Sequence, residues 1–227
     1  MIKTQTTENV ESSNDPCNHF EGALSGAIYD RLASLTGFGP RLYQRAAMEI
    51  PLGRGMCVLD LGCGTASFGL AIAERIGAGG QIHGLDISER QLAHARRKVN
   101  GLETSFEFHQ CSMGELSFKD ATFDAVVSSL AFHAVPPQVR RDALRETARV
   151  LKPRGLFALV DLSKPRLGWV TLVWLPSLLF EPDKENWNNV YPALCKEQGL
   201  YLDKDLYLNS LVRCQVFHEE AQTCKHN

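Results

Sequence analysis

The chain has 227 residues, of which 44% are hydrophobic, and a formal net charge of −2. That length suits one α/β domain with extra segments better than two domains. The hydrophobic share is enough for a core and too small for a membrane protein, and the lack of net positive charge argues against nucleic acid as the main partner.

Residues 1–19 are rich in Thr, Ser, Asn and Glu and read as a mobile tail. Leu24, Ile28, Leu32 and Leu35 then recur at helical spacing, which predicts an amphipathic helix over 21–35. Two glycines and Pro40 end it, and Pro40 opens a second helix to about Glu49. Together these helices would form an N-terminal cap over 20–55.

From residue 56 the pattern alternates. Strands are expected at 56–61, 81–85, 106–111, 123–129 and 156–160, with helices at 66–76, 88–99 and 138–151 between them. Ser88 suits a helix N-cap and Lys152-Pro153-Arg154-Gly155 a helix stop. Strands separated by helices of ten or more residues mean βαβ units and a parallel sheet. Beyond Asp161 a loop is expected at 163–168, a helix at 183–198 with Gly199 after its end, and two strands at 200–208 and 211–218. The domain would run over 56–218, with a lid-like insertion at about 163–182 and a polar tail over 219–227. The insertion holds the apolar stretch L-G-W-V-T-L-V-W-L-P-S-L-L-F at 167–180, too short for a membrane span and broken by Pro176.

The seven cysteines are scattered, odd in number and without a C-x-x-C pair, and the N-terminus has no apolar signal segment. Reduced cytoplasmic thiols are expected, with no disulfide framework and no metal. Cys57 and Cys111 read as small apolar fillers within strands, and His109 as structural.

The chemistry centres on 56–68, M-C-V-L-D-L-G-C-G-T-A-S-F, where an apolar run breaks at Gly62 and Gly64 and a helix follows. Strand, glycine turn and helix bring backbone amides up to a polar ligand. Asp86 ends the next strand, where a carboxylate can accept both hydroxyls of a ribose. Asp60, just before the first glycine, sits badly beside a pyrophosphate and well beside a cationic amine. A P-loop is absent. An ammonium, a carboxylate and an adenosine in one ligand describe S-adenosylmethionine.

With these residues the sequence resembles the class I S-adenosylmethionine-dependent methyltransferases. V-L-D-L-G-C-G-T-A at 58–66 is similar to the family's first motif and G-L-D-I-S at 84–88 to its ribose-binding motif. F-D-A-V-V-S-S-L-A-F-H at 123–133 and L-K-P-R-G at 151–155 are similar to its later motifs. The resemblance implies a doubly wound, mostly parallel seven-stranded sheet with an antiparallel last strand. It also implies that Asp60, Gly62 and Gly64 bind the methionine end and Asp86 the ribose. Ile87 would pack on the adenine, with Ser112 and Met113 beside the base. Ser128 is a further cofactor-binding candidate from its place at the expected end of the fourth strand, where such sheets bind ligands. Ser112 stands where the family often has Asp, and Ala66 replaces a third glycine. Tyr29-Asp30 resembles a pair whose Tyr helps close the cofactor site.

The reaction implied is displacement at a sulfonium methyl group, with His133 the candidate base or orienting group and Asp161 near the substrate mouth. The apolar 167–180 stretch points to an apolar or amphiphilic small acceptor. The core motifs are most similar to the branch containing ubiquinone/menaquinone-biosynthesis C-methyltransferases. A non-catalytic cofactor-binding scaffold and a methyltransferase for a thiol, an arsenical or a protein are the alternatives. The protein is expected to be a monomer or homodimer.

Overall fold

Residues 37–178 and 185–219 are described in the computed structural model of the chain. The helix expected at 21–35, with Tyr29, lies outside the described residues, as do the segment 1–19, the tail from 220 and residues 179–184. Helix α1 (Pro40–Glu49) starts on the proline. It is followed by β1 (Cys57–Leu61), α2 (Ser67–Ile76), β2 (Gln81–Asp86), α3 (Glu89–Lys98), β3 (Ser105–Gln110) and β4 (Phe123–Ser129). Next come α4 (Pro137–Val150), β5 (Leu151–Leu162), α5 (Trp169–Leu178), α6 (Tyr191–Glu197), β6 (Leu200–Tyr207) and β7 (Val212–Glu219). Single 3₁₀ turns occupy Phe132–Ala134 and Glu185–Asn188.

The strands form one seven-stranded sheet in the order β3-β2-β1-β4-β5-β7-β6. Pairings from β3 across to β5 are parallel, and β7 runs antiparallel to both β5 and β6. This is the expected doubly wound α/β sheet with an antiparallel last strand. Strand order reverses beside β1, so a crevice opens at the carboxyl ends of β1 and β4, where ligands bind in such sheets.

Both sheet faces are covered, as a parallel sheet requires. Val58 shares one buried cluster with Phe68 and Ile72 of α2 and Ala46 of α1, while Leu59 and Leu61 share a second with Leu144 of α4. Phe157 is fully buried, with ring centroids 5.7 Å from Phe217 and 6.0 Å from Phe132. Burying one such ring stabilises the fold by about 2–3 kcal/mol, and here it also anchors the 3₁₀ turn after β4.

Three elements differ from expectation. The K-P-R-G segment does end α4, but β5 pairing resumes at once. Leu151 pairs with Phe123, the register then shifts, and Leu156 pairs with Ala125, with Arg154 at φ +67° between them. The segment is a bulge inside a long strand and not only a helix stop. The helix expected at 183–198 is interrupted: Asn189 takes φ +52° and Pro192 restarts the chain in the first turn of α6. A proline in the middle of a continuous helix would clash and lack its N–H. Cys111 lies just past β3. Among the described residues, no helix is long and apolar enough to cross a membrane.

Candidate functional site

The chain leaves β1 through Gly62 (φ +70°) and Gly64 (φ +53°). A Cβ on Gly62 would lie 2.5 Å from the Ala131 Cβ, so the turn seats directly against the segment after β4. A Cβ on Gly64 would meet nothing within 4 Å, so that side of the turn is open. The amides of Gly62 and Cys63 donate to the Leu85 carbonyl, and the Gly64 amide donates to Asp86 Oδ2 at 2.9 Å. Ala66, before α2, sits at φ +59°. The missing third glycine is therefore no neutral change, because a side chain in the left-handed region costs about 1 kcal/mol.

Asp60 is 1% exposed, and among the described residues neither of its carboxylate oxygens finds a hydrogen-bond partner. Burial, then the neighbouring Asp86 carboxylate, pushes its pKa from 3.8 up to about 7. A buried acid with unfilled acceptors is costly unless something supplies donors or positive charge. Asp86 is also raised, by burial, against the pull of backbone N–H groups of Ser88, Gly64 and Ile87. Its Oδ1 accepts from the Ser88 amide at 2.9 Å, so each oxygen already holds one backbone donor and keeps a further lone pair. Ser88 in turn caps α3 by accepting from the Gln91 amide.

Around this turn, Ile87 is 44% exposed, and its carbonyl accepts from Gln110 Nε2 at 3.1 Å. Met113 is buried, with its methyl 3.3 Å from a Cβ built on Gly62. Ser112 is exposed, and its hydroxyl accepts from the Gly114 amide. Ser128 is fully buried and donates to the Leu61 carbonyl at 2.8 Å. That places Ser128 in the scaffold under the glycine turn and not on its open side.

Beyond β4 the chain turns through Leu130 (φ +51°) into the 3₁₀ turn that carries His133. His133 Nδ1 lies 2.6 Å from Asp161 Oδ1, and the His133 amide donates to Oδ2 at 2.9 Å. The Leu162 amide adds a third bond to the same carboxylate at 2.7 Å. Asp161 is 2% exposed. A carboxylate accepting from Nδ1–H sets the tautomer that carries the basic lone pair on Nε2. The pairing of His133 with Asp161 was not foreseen from sequence. Its sequence signal is that His133 follows the end of β4 and Asp161 stands at the end of β5, two neighbouring parallel strands.

Lys98 was also missed. Its ammonium reaches Ser67 Oγ at 2.6 Å, placing positive charge at the start of α2. It continues the inward stripe of Gln91 and Ala95 along α3. Helix α5 is tied to the turn between β6 and β7, where the Thr171 hydroxyl donates to Ser210 Oγ at 2.9 Å. Val170 is buried and Trp174 packs edge-on against Phe38 at 5.1 Å, while Leu167, Trp169 and Leu172 are exposed. A small pocket lined by Leu159, Asp161, Ser163, Tyr191 and Gln215 opens beside the His133–Asp161 pair.

Residues 58–155 match a family model described as a methyltransferase domain. A solved S-adenosylmethionine-dependent methyltransferase from Aquifex aeolicus superposes with TM-score 0.67 at 21% identity, covering 84% of this chain and 94% of that one. The fold is thus the Rossmann-like methyltransferase fold. The [4+2]-cyclase SpnF shares it too, with TM-score 0.61 at 19% identity over 79% of this chain and 80% of that one, so the fold by itself does not define the reaction. A curated demethylmenaquinone methyltransferase of Listeria welshimeri is 37% identical over 145 residues, 62% of this chain. The chain spans 61% of that relative's length.

Proposed function

We propose that the chain transfers a methyl group from S-adenosylmethionine to a small apolar or amphiphilic acceptor of the quinone-precursor type. The observation that carries this reading is Asp60, a buried carboxylate with unfilled acceptors beside a glycine turn whose Gly64 side is open. An ammonium fits it, as a pyrophosphate does not. Support for the acceptor class comes from the demethylmenaquinone methyltransferase named above and from the apolar helix α5. A net charge of −2 favours a small molecule over a nucleic acid. Scattered, reduced cysteines fit a cytoplasmic setting.

When bound, S-adenosylmethionine supplies an electrophilic methyl group on a sulfonium centre. In this reading Asp60 accepts hydrogen bonds from the ligand's ammonium. The α2 start and Lys98 face its carboxylate. Asp86 accepts from the ribose hydroxyls while holding Gly64 in place. Ile87 and Met113 offer apolar surface to the adenine, and Ser112 lies at its edge. His133, steadied by Asp161, accepts the acceptor's proton at Nε2, and a neutral ring is required for that step. Alignment and exclusion of water supply the rest of the rate.

Calorimetry with S-adenosylmethionine, followed by transfer of labelled methyl to a demethylated naphthoquinol, tests the reading. Binding weakened about 100-fold by Asp60→Asn, with turnover in the parent protein, is expected. Absence of binding in the parent protein would overturn the reading, and binding without turnover on any acceptor would leave a scaffold.

A further inference from the structure

The sheet carries a second cluster on its other face. Side chains alternate along a strand, so His83 points away from the face that holds Gly84 and Asp86. Its register partner across the β2–β3 pair is Glu107, and His109 follows on the same face of β3. His83 Nδ1 lies 3.1 Å from His109 Nε2 and 3.6 Å from Glu107 Oε2. One ligand atom from each of the three residues falls within 4.8 Å of the other two. In a tetrahedral site with bonds near 2.0–2.1 Å, donor atoms are spaced about 3.3–3.4 Å apart. Both measured separations bracket that value.

We propose that His83, Glu107 and His109 bind a divalent first-row transition cation of the zinc type. Two imidazoles and one carboxylate are borderline donors that such ions take, with water completing the coordination. The surroundings resemble a supported site more than a chance meeting of surface groups. Gln81 Nε2 donates to Glu107 Oε1 at 3.1 Å, which turns Oε2 toward His83. Phe118 stands edge-on to both rings, at 5.6 Å from His83 and 5.0 Å from His109, and Phe123 edge-on to His83 at 5.3 Å. The two imidazole planes lie 14° from parallel with centroids 5.4 Å apart, so the rings meet end to end through the facing nitrogens. Such outer partners fix ring orientation and donor direction.

Binding needs no net chemistry beyond a tautomer change. The proton shared between the two rings moves to the far nitrogen of its own ring, and both facing lone pairs meet the cation. The ion would tie edge strand β3 to β2, the strand that ends in Asp86. None of the three ligands belongs to the glycine turn or to the His133–Asp161 pair, so the site stands or falls apart from the methyl-transfer reading.

The test is titration of the metal-free full-length chain with Co²⁺, followed by visible absorption, and with Zn²⁺ in competition with a chromogenic chelator. One equivalent should bind, with ligand-field bands and no thiolate charge-transfer absorption. His109→Gln should weaken binding at least about 100-fold and Glu107→Gln about 10-fold. Glu107 is half-exposed, so its variant keeps the fold even if the histidine variant does not. Failure of the parent chain to bind at micromolar cation, thiolate bands in the spectrum, or parent-like binding by Glu107→Gln would each overturn the proposal.

Discussion

Two buried aspartates stand on β1 and β5, and their surroundings are opposite. Asp161 has its carboxylate filled by two backbone amides and the His133 ring. Asp60 is equally buried and, among the described residues, has nothing on either oxygen. The first is invested in holding another side chain. The second carries an unmet demand, and in a folded core such a demand marks where a ligand belongs. Burial alone therefore does not tell a positioning carboxylate from a binding one; the count of donors around it does.

Substitutions at the two ends should separate these roles. The largest effect is expected at the partnered end. His133→Ala should cut turnover by about 10²–10⁴-fold, the usual worth of a positioned proton acceptor, with cofactor affinity near that of the parent. Steady-state kinetics beside calorimetry would show whether the two quantities part; unchanged turnover would leave His133 structural.

At the unpartnered end Asp60→Asn should do the reverse, weakening S-adenosylmethionine binding by about 100-fold, as expected when a buried ammonium loses its charged acceptor. The same variant should change how the free protein responds to pH. With its pKa raised from 3.8 to about 7, folded Asp60 keeps a proton that the unfolded chain has released. The free protein should thus lose stability as pH rises from about 4 to 7 and level off above that range. Asp60→Asn should flatten this slope in urea melts taken across it. A slope that persists undiminished would assign it to other groups.

Asp86→Ala should cost about 1.5–3 kcal/mol of cofactor binding, the scale of a charge-assisted hydrogen bond. It should also lower the melting temperature of the free protein, since Asp86 holds the Gly64 and Ser88 amides. Affinity unchanged in a folded variant would sink the ribose assignment. The smallest effect is expected at Ala66→Gly. Relief of the left-handed strain, less the extra entropy of glycine, should stabilise the fold by about 0.5 kcal/mol in denaturant melts; destabilisation would mean that its buried methyl matters more.

The strands, though not their order in the sheet, could be read from sequence because apolar runs stop at Gly62 and at Asp86 and resume after helical spacing. Such local signals survive in a parallel sheet. The bulge at Arg154 could not be read, since a proline-glycine pair after a helix looks the same whether it ends pairing or interrupts it. The break at Asn189 was missed because the apolar stripe of Trp187, Leu194 and Cys195 continues across it in register. The positions of Asp60, Asp86 and His133 followed from strand ends. The His133–Asp161 bond, the reach of Lys98 to Ser67 and the inward-facing Ser128 hydroxyl did not. They depend on contacts between elements far apart in the chain, which no single-strand pattern encodes.

The seat of Gly62 against Ala131 has a consequence for anyone redesigning this protein. Positions 62 and 131 share one volume, so they behave as a single variable in a mutant library. Enlarging residue 131 to reshape the acceptor side pushes the glycine turn, and His133 lies two positions beyond it on the same short segment. Libraries aimed at new acceptors therefore do better to vary α5 and the pocket around Ser163, and to leave residues 130–133 as they stand.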